Sequence, residues 1–506
     1  MSRTFLIPFV TLFLFKVFLA AVFPVFGDEA YYVYWGSHPA GGYYDLPPMI
    51  GWWLVPLLHV SHHPLLIRVW NLLAPLLISF GIFEWLLKAR GRDSAGLTAL
   101  LFFALPLPFL TVISFPDVPL LFFGFFSALL FHSGVMGQRR FFSAAIAMSG
   151  ALFGAAFLSK YFAAFLLPAF AIWAWPRARH RAGAIFSFFA GSAPFLFQHY
   201  LWNERHCRAN AVFNLVTRQQ AFEGTFVETT AFLLLHLLLV SFTVLPFLRR
   251  SKVKRGASAE DGLRSFLFLL WVVPVLVFLG TALLGRGQGL HWLLYLTPFF
   301  VSWSSFFLSP MRLRRAFLSS AFLSALLATA LCISFLMPER VLYPKLRNRY
   351  PFEFGIITGA REFIAQLKGE VSGAAAVFFE SYALASLIHF EFGRYRGEDP
   401  FPNFGVVSSA SRFGRVFDFE MDWRALQGKT VSIVKTGGAE IAKYSPYFQS
   451  VSEKRSFFRG AEYSVLTGVG FDSRKFWQER VLPELEQFYP RNFVGVCKLK
   501  EVYHAD

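Results

Sequence analysis

The chain has 506 residues, of which 55% are hydrophobic, 19% are aromatic and only 16% are charged. This composition excludes disordered, collagen-like and disulfide-scaffold chains, and it contains more apolar surface than a soluble chain of this length can bury. A net charge of +17 would ordinarily suggest a nucleic-acid partner. The mean hydropathy of +0.48 points to a membrane instead, and no nucleic-acid partner is predicted.

Eleven apolar segments follow one another through the first two thirds of the chain. A helix that spans a bilayer needs about 20 predominantly apolar residues, and these segments fit that requirement. The first is predicted to be a retained anchor, because it is longer than an ordinary signal sequence and no convincing cleavage site precedes Asp28. The segments lie at about 5–26, 64–87, 95–112, 118–136, 141–158, 161–176, 182–202, 228–248, 264–284, 291–309 and 315–337.

The loop at 27–63 begins with two adjacent carboxylates, Asp28 and Glu29, and contains no Lys or Arg. The Tyr and Trp residues that follow predict an amphipathic helix over 29–38, lying in the membrane interface. Such a helix would hold Asp28 at the bilayer surface, where a carboxylate is suited to act as a general base. The alternative is an aromatic belt in which Asp28 only caps the helix.

The distribution of cations predicts the orientation of the chain. With the N-terminus inside, the cytoplasmic connections carry 18 Lys and Arg residues and the opposite connections carry five. Because positive residues are retained on the cytoplasmic side, this imbalance predicts a cytoplasmic N-terminus. After eleven crossings, the tail from about residue 338 would then lie outside.

The tail at 338–506 alternates strand-like and helical patterns, with strands predicted at 377–379 and 430–434 and a helix at 382–390. The predicted fold is an all-α polytopic membrane domain at 1–337, including the outer loop 27–63, followed by an extracytoplasmic α/β domain at 338–506. Cys332 is expected to be a packing residue. Cys207 and Cys497 are expected to be free thiols, a bridge between them being the alternative.

Several short motifs occur in an order that resembles one enzyme family. Asp28-Glu29 is followed by GGYYDLPPMIGWW, and Arg68, Pro116-Asp117 and Ser159-Lys160-Tyr161 come next. Pro194 with Trp202-Asn203, and the tail segments at 381–385 and 426–429, complete the set. Together these motifs resemble the polyprenyl-phosphate-sugar glycosyltransferases with the GT-C fold. That group includes protein O-mannosyltransferases and bacterial lipid A aminoarabinose and galacturonic acid transferases.

The match departs from the aminoarabinose branch at one point. Where those enzymes tend to have Tyr or Phe, then Glu-Lys-Pro, this chain has Tyr44-Asp45-Leu46-Pro47. The missing cation counts against that particular sugar and puts one phosphate contact in doubt.

The resemblance implies transfer of a sugar from a polyprenyl-phosphate donor to an envelope acceptor, which is lipid A or its core, a glycolipid or a protein. The reaction would take place on the periplasmic face of a bacterial inner membrane and would invert the anomeric centre. Asp28 is the predicted general base, and Glu29 either orients it or remains structural. Lys160 is the favoured phosphate contact, because a cation between two short apolar helices needs an anionic partner. The candidates for substrate binding are Asp45, Arg68, Asp117, Lys160, Tyr161, Arg205, Arg218 and His291.

Other interpretations stay open at this point. The chain as a whole could be a polytopic transporter or a non-catalytic envelope scaffold. Arg68 is also placed to snorkel to the surface, and His291 is also placed in an aromatic belt. No cofactor is assigned, but a divalent metal is left open, either near Asp45 and Asp117 or at a histidine cluster that otherwise acts as an interfacial cap. That cluster consists of His59, His62 and His63.

Overall fold

The structure is a computed structural model, and all structural statements below concern the residues that it describes. These are 3–137, 143–178, 180–214, 227, 231, 244–248, 258–283, 291–337, 351–394, 404–407, 417, 421–438 and 440–484.

Helices form most of the described chain up to residue 337. The main ones are α1 (Arg3–Val22), α2 (Gly27–Ser37), α3 (Met49–Leu58), α4 (Val69–Ala104), α5 (Asp117–Met136), α6 (Ala144–Ser159), α7 (Leu166–Ala174), α8 (Arg181–Arg205), α9 (Ser258–Leu283), α10 (Thr297–Ser304) and α11 (Pro310–Leu336). Short helical turns at Pro64–Ile67, Pro106–Leu110, Tyr161–Phe165 and Ala209–Val212 connect some of them.

Five stretches in the described residues are long and apolar enough to cross a membrane. They are Phe5–Val22, Pro64–Ala104, Asp117–Met136, Glu260–Thr281 and Pro310–Leu336. Several other predicted crossings are shorter helices here, and most of the predicted segment 228–248 lies outside the described residues. The total of eleven crossings therefore stays a prediction.

The second and third predicted segments correspond to two helices that meet at a kink within α4. Gly91 separates them with a non-helical backbone and a positive φ of 73°. Glycine adopts that conformation at little cost, so the chain changes direction there without a separate loop. The helix predicted over 29–38 is confirmed as α2, whereas α3 was not predicted.

Close packing of α6 against α8 positions the segment after α6, which contains Lys160, and the segment after α8, which contains Asn210. A Cβ added at Gly150 would lie 1.9 Å from the carbonyl oxygen of Phe188, and one added at Gly191 would lie 1.9 Å from that of Ala147. Small residues of this kind let two helix backbones approach closely. The contact holds the end of α6, at Ser159, alongside the end of α8.

The tail contains a mixed five-stranded sheet, in agreement with the predicted α/β character. Its strands are β1 (Ala376–Phe379), β2 (Phe404–Val406), β3 (Val431–Thr436), β4 (Ser450–Phe458) and β5 (Ala461–Val469), in the order β2-β1-β3-β5-β4. β1 pairs in parallel with β2 and β3, whereas β5 pairs antiparallel with β3 and β4. Two helices, α12 (Pro351–Glu370) and α13 (Tyr382–Arg394), complete this C-terminal unit. Both predicted strands and the predicted helix at 382–390 are confirmed.

The C-terminal unit packs directly on segments of the helical part that follow α1 and α8. One apolar cluster joins α12, α13 and β1 to residues of α2 and α3, such as Trp35 and Leu54. A second cluster joins Phe378 and Ile433 of the sheet to Tyr44 and Phe213. The loop after α1 therefore shares its core with the tail.

The expectation of free thiols is wrong for Cys207, which is disulfide-bonded. Cys332 is a buried free cysteine, as predicted. The third cysteine of the chain, Cys497, lies outside the described residues.

Candidate active site

Glu29 and Arg68 form a fully buried ion pair between α2 and the start of α4. Arg68 Nε and Nη2 donate to the two Glu29 carboxylate oxygens at 2.8 and 2.5 Å. Its remaining N–H groups donate to the backbone carbonyls of Ala20, Phe23 and Pro24. These contacts use all five guanidinium donors, so Arg68 has none left for a substrate. The geometry favours a structural role for Arg68 over the predicted substrate contact or snorkelling.

The Glu29 carboxylate also anchors a second loop. Ser114 N donates to Glu29 Oε1 at 2.8 Å, and Ser114 precedes α5 by only three residues. Glu29 thus fixes the segment that leads to Asp117, which agrees with the structural alternative considered for Glu29.

Asp28, in contrast, is exposed in the first turn of α2. Its Oδ1 accepts a hydrogen bond of 2.7 Å from Tyr382 Oη, which lies at the start of α13. The adjacent acids therefore have different surroundings: Glu29 is locked between helices, and Asp28 faces outward with one tyrosine donor. Of these two acids, Asp28 is the one whose side chain is open to solvent.

Lys160 and Asp117 form the second buried ion pair. Lys160 Nζ lies 3.0 Å from each Asp117 carboxylate oxygen, and the side chains are 6% and 2% exposed. Asp117 begins α5, and Lys160 follows α6 in an extended conformation. His291 Nε2 lies 3.8 Å from the same carboxylate, on the exposed side. The sequence predicted that Lys160 requires an anion, and Asp117 is that anion in the structure.

Tyr161 connects the Lys160 segment to the loop after α8. Its hydroxyl lies 2.7 Å from His199 Nε2 and donates to Asn210 Oδ1. Asn210 Nδ2 donates in turn to the carbonyl oxygen of Tyr43 at 2.9 Å. Tyr161 is therefore part of a polar network that reaches the loop between α2 and α3.

Asp45 lies in the same loop and is buried, with 3% exposure. Tyr31 Oη donates to Asp45 Oδ1 at 3.1 Å, and Asn214 Nδ2 donates to the Asp45 carbonyl oxygen at 2.8 Å. The Tyr31 ring packs on the Tyr382 ring with centroids 4.7 Å apart. Asp45 is thus linked through two tyrosines to Asp28.

Seven of these contacts, together with four short steps along the chain, close into a circuit, which we call the site ring. It joins the segments after α1, α4, α6 and α8 to the start of α13. In order, it runs through Asp28, Glu29, Ser114, Asp117, Lys160, Tyr161, Asn210, Tyr43, Asp45, Tyr31 and Tyr382.

Three predicted substrate contacts, Arg68, Arg205 and His291, are not members of the site ring, although Arg68 and His291 contact its acids Glu29 and Asp117. Arg205 is exposed in the last turn of α8, and Arg218 lies outside the described residues. Conversely, the ring contains residues to which the sequence assigned no role. Tyr382 lies in a motif segment without a predicted function, and nothing in the local pattern distinguished Asn210 or Ser114.

The described residues do not fit a metal site. No group of three or more His, Cys, Asp or Glu side chains in these parts of the chain is arranged to hold an ion. His63 instead caps the helix Pro64–Ile67, because its Nδ1 accepts a hydrogen bond of 3.2 Å from Leu65 N. This contact supports the capping alternative, and no step below uses a metal.

An apolar groove of about 310 Å³ lies between α3, α4 and α5. Two of its lining residues follow ring residues closely in the sequence: Met49 is four residues after Asp45, and Phe122 is five residues after Asp117. The lining is almost entirely aromatic or aliphatic and consists of Met49, Trp52, Trp53, Pro56, Trp70, Leu73, Ala74, Leu77, Phe122 and Phe123.

Comparisons with known proteins support the resemblance identified from the motifs. Residues 45–197 match a family model described as dolichyl-phosphate-mannose-protein mannosyltransferase. The lipid A galacturonosyltransferase RgtD of Rhizobium johnstonii is 33% identical over 187 residues, which is 36% of this chain and 39% of that protein. The match thus spans well under half of that relative's length.

Solved structures show the same fold over nearly the whole chain. ArnT from Cupriavidus metallidurans bound to undecaprenyl phosphate aligns with a TM-score of 0.56 at 12% identity, covering 92% of this chain and 98% of that one. The apo form aligns with a TM-score of 0.57 at 13% identity and the same coverage. The GT-C type of membrane fold predicted from the motifs is therefore confirmed.

Proposed function

We propose that this chain is an integral membrane glycosyltransferase that moves a hexose or pentose unit from a polyprenyl-phosphate donor to an envelope glycolipid. The observation that carries the proposal is the site ring, in which an exposed carboxylate, Asp28, shares one circuit with a buried cation, Lys160. The ArnT-like fold and the match to a lipid A galacturonosyltransferase support this choice of reaction and acceptor.

The apolar groove suits the donor's tail. Its aromatic and aliphatic lining offers favourable contact to a hydrocarbon chain and little to a sugar. A tail lying between α3, α4 and α5 would bring the attached phosphate to the ends of these helices, beside Asp117 and Lys160. A lipid-anchored donor also needs no glycine-rich loop for a nucleotide.

Different residues of the site ring act on the acceptor and on the leaving phosphate. Asp28 takes the proton from the acceptor hydroxyl as its oxygen attacks the anomeric carbon. The bond between that carbon and the phosphate oxygen breaks, and the phosphate leaves on the lipid with its negative charge. Lys160 stabilises this charge by several kcal/mol, and Asp117 positions Lys160 before the donor arrives. Attack on the face opposite the phosphate inverts the anomeric centre.

The test is replacement of Asp28 by Asn in purified protein reconstituted with undecaprenyl-phosphate-linked sugars and lipid A. Asn keeps the size of the side chain and its hydrogen bond from Tyr382, but it does not accept the proton. We expect transfer to fall by at least about 100-fold, which is typical for loss of a general base. Asp93→Asn, at an exposed acid of α4, is the matched control. An unchanged rate in folded Asp28→Asn protein would refute the assignment and favour a transporter or scaffold.

Mass spectrometry of envelope glycolipids identifies the sugar and the acceptor. Cells with and without the protein should differ by one sugar on one glycolipid class. A difference confined to glycosylated proteins would show that the acceptor is a protein and not a glycolipid.

We propose further that the protein lies in a bacterial inner membrane with eleven crossings, a cytoplasmic N-terminus and a periplasmic C-terminal unit. The support is the excess of cations on one set of loops. Alkaline phosphatase folds into active enzyme only in the periplasm, so its fusion after residue 506 should be active. An inactive but expressed fusion would reverse the topology.

A further inference from the structure

The C-terminal unit contains a cavity that takes no part in the site ring. Its volume is about 490 Å³, within the range of small-molecule sites. It opens between the turn at 423–427 and the segment 472–477, and both segments contribute aromatic and polar side chains.

The apolar part of this cavity is rigid. Trp423 and Trp477 are only 4% and 2% exposed, and the Trp423 ring stacks on Phe378 of β1 with centroids 5.7 Å apart. Backbone hydrogen bonds tie the two segments together, from Gly428 N to Phe471 O at 2.8 Å and from Phe471 N to the Lys429 carbonyl at 3.0 Å. The cavity is therefore preformed.

The polar part is rich in donors. Gln427 Oε1 accepts hydrogen bonds from Ser473 Oγ at 2.9 Å and from Arg474 N at 3.3 Å. The amide oxygen is thus held by the protein, and within the described residues its NH₂ group has no protein partner. A side chain with a fixed acceptor and available donors is suited to hydroxyl, phosphate or carboxylate oxygens.

The charge of the cavity is also favourable to an anion. Arg424 and Arg474 line it from the two segments, and the Arg474 guanidinium has no ion pair in the described part of the chain. The one lining carboxylate, Asp472, accepts a hydrogen bond from Lys475 N at 3.1 Å, and Arg424 contacts Asp422 outside the cavity at 3.4 Å. Guanidinium groups bind phosphate and carboxylate in a bidentate manner.

The cavity is connected to the site ring through its packing. Trp423 and Trp477 belong to the same apolar cluster as Tyr44 and Phe213. Tyr44 precedes the ring residue Asp45, and Phe213 precedes Asn214, which holds the Asp45 backbone. A ligand in the cavity would therefore contact the same apolar cluster that packs on the segments next to Asp45 and Asn214.

We propose that this cavity binds an anionic saccharide, one that carries a phosphate or a carboxylate, as part of the acceptor. The guanidinium groups hold the anion, Gln427 donates to hydroxyl oxygens, and the indoles contact the apolar face of the sugar ring. The acceptor assignment rests on the proposed transferase function, whereas the binding site itself does not.

The test is isothermal titration calorimetry of the full chain in detergent micelles without donor. Three probes separate the sources of affinity: glucosamine 1-phosphate, glucosamine and inorganic phosphate. We expect saturable binding of glucosamine 1-phosphate and roughly tenfold weaker binding of each of the other two, as expected when one of two contacts is lost. Equal binding of inorganic phosphate would overturn the saccharide assignment, and no binding of any probe would overturn the site.

Gln427→Glu is the most specific variant. The new carboxylate still accepts the hydrogen bonds from Ser473 and Arg474, but it replaces the NH₂ donors by a negative charge. We expect this variant and Arg474→Ala to bind glucosamine 1-phosphate roughly tenfold more weakly. Arg455→Ala, on β4 and outside the cavity, is the control and should bind normally. Equal affinity in all three variants would refute the assignment.

The transferase proposal and the cavity proposal can be refuted separately. Asp28→Asn protein should bind the probe as the unmodified chain does, because Asp28 does not line the cavity. Normal binding combined with full transfer by Asp28→Asn would refute the transferase mechanism alone. Loss of transfer in Asp28→Asn without probe binding in the unmodified chain would refute the cavity assignment alone.

Discussion

Tyr382 donates a hydrogen bond of 2.7 Å to Asp28, although the two residues lie 354 positions apart in the chain. The contact is enforced by close packing of α13 against α2. A Cβ added at Gly27 would lie 2.7 Å from Ala383 Cβ and 2.9 Å from its carbonyl oxygen. The C-terminal unit therefore completes the surroundings of the proposed base.

Replacing Tyr382 by Phe should lower kcat by roughly tenfold. The ring contact with Tyr31 is retained, and only the hydrogen bond to a charged group is lost, which is equivalent to about 1.5 kcal/mol. The measurement is the rate of sugar transfer at saturating donor. Tyr34→Phe is the control, because Tyr34 packs on His389 of the same helix. Equal rates for the two variants would show that the Tyr382 hydroxyl does not position Asp28.

Replacing Arg68 by Lys should destabilise the protein while leaving catalysis by folded molecules nearly unchanged. Lysine has three donors and no planar fork, so part of the buried Glu29 carboxylate and some carbonyls lose their partners. We expect a loss of about 3 kcal/mol and a lower Tm in detergent. Arg92→Lys, at an exposed position of α4, should melt normally. A normal Tm with greatly reduced transfer would restore Arg68 as a substrate contact.

Variants of the Lys160–Asp117 pair distinguish an effect on stability from an effect on catalysis. Lys160→Met leaves the buried Asp117 carboxylate without this cation and should cost about 3–5 kcal/mol. The double variant Lys160→Met with Asp117→Leu replaces both charges by apolar groups and should recover most of the Tm. Neither variant should transfer sugar, because the cation for the leaving phosphate is absent. Transfer by the double variant would contradict the role of Lys160.

Acid should weaken the packing of α13 against α2 through His389. Burial, together with the neighbouring His38 and His62, lowers the pKa of His389 from 6.5 to about 4. The unfolded chain thus takes up this proton at a higher pH than the folded chain does. The stability that depends on neutral His389 is full above pH 6.5 and is lost as the pH falls toward 4, by roughly 3 kcal/mol in all.

The measurement for His389 is the Tm at pH 7 and at pH 5. His389→Gln, which does not titrate, should lose less of its Tm between these values than the unmodified chain. His59→Gln, at an exposed position directly after α3, should retain the full pH dependence. The same dependence in both variants would assign the acid sensitivity to other groups.

The sequence predicted those parts of the site that depend on the cost of burying charge. A cation among apolar residues needs an anionic partner, so Lys160 could be expected to have one, but the sequence suggested the donor phosphate and not Asp117. The strands β1 and β3 were also predictable, because short apolar runs between turns are typical of buried strands. The choice of partner for Arg68 was not predictable, since it depends on how α1, α2 and α4 pack.

Other features have no local signal at all. Gly91 joins two helices at a kink without an intervening loop, because glycine tolerates the positive φ at that position. The contact of Tyr382 with Asp28 depends on where a distant helix packs. The local sequence does not mark Asn210 as a site residue, because its contact with Tyr161 depends on the turn after α8.

The close approach of Gly27 to Ala383 also has a consequence for the order of assembly. Asp28 is synthesised early, whereas the hydroxyl that contacts it comes from a helix made more than 350 residues later. A nascent chain can insert all its membrane helices, with both buried ion pairs formed, before that helix exists. The proposed base would therefore acquire its surroundings only when α13 packs on α2, late in biosynthesis, so a partly made chain would be embedded in the membrane but not yet competent for transfer.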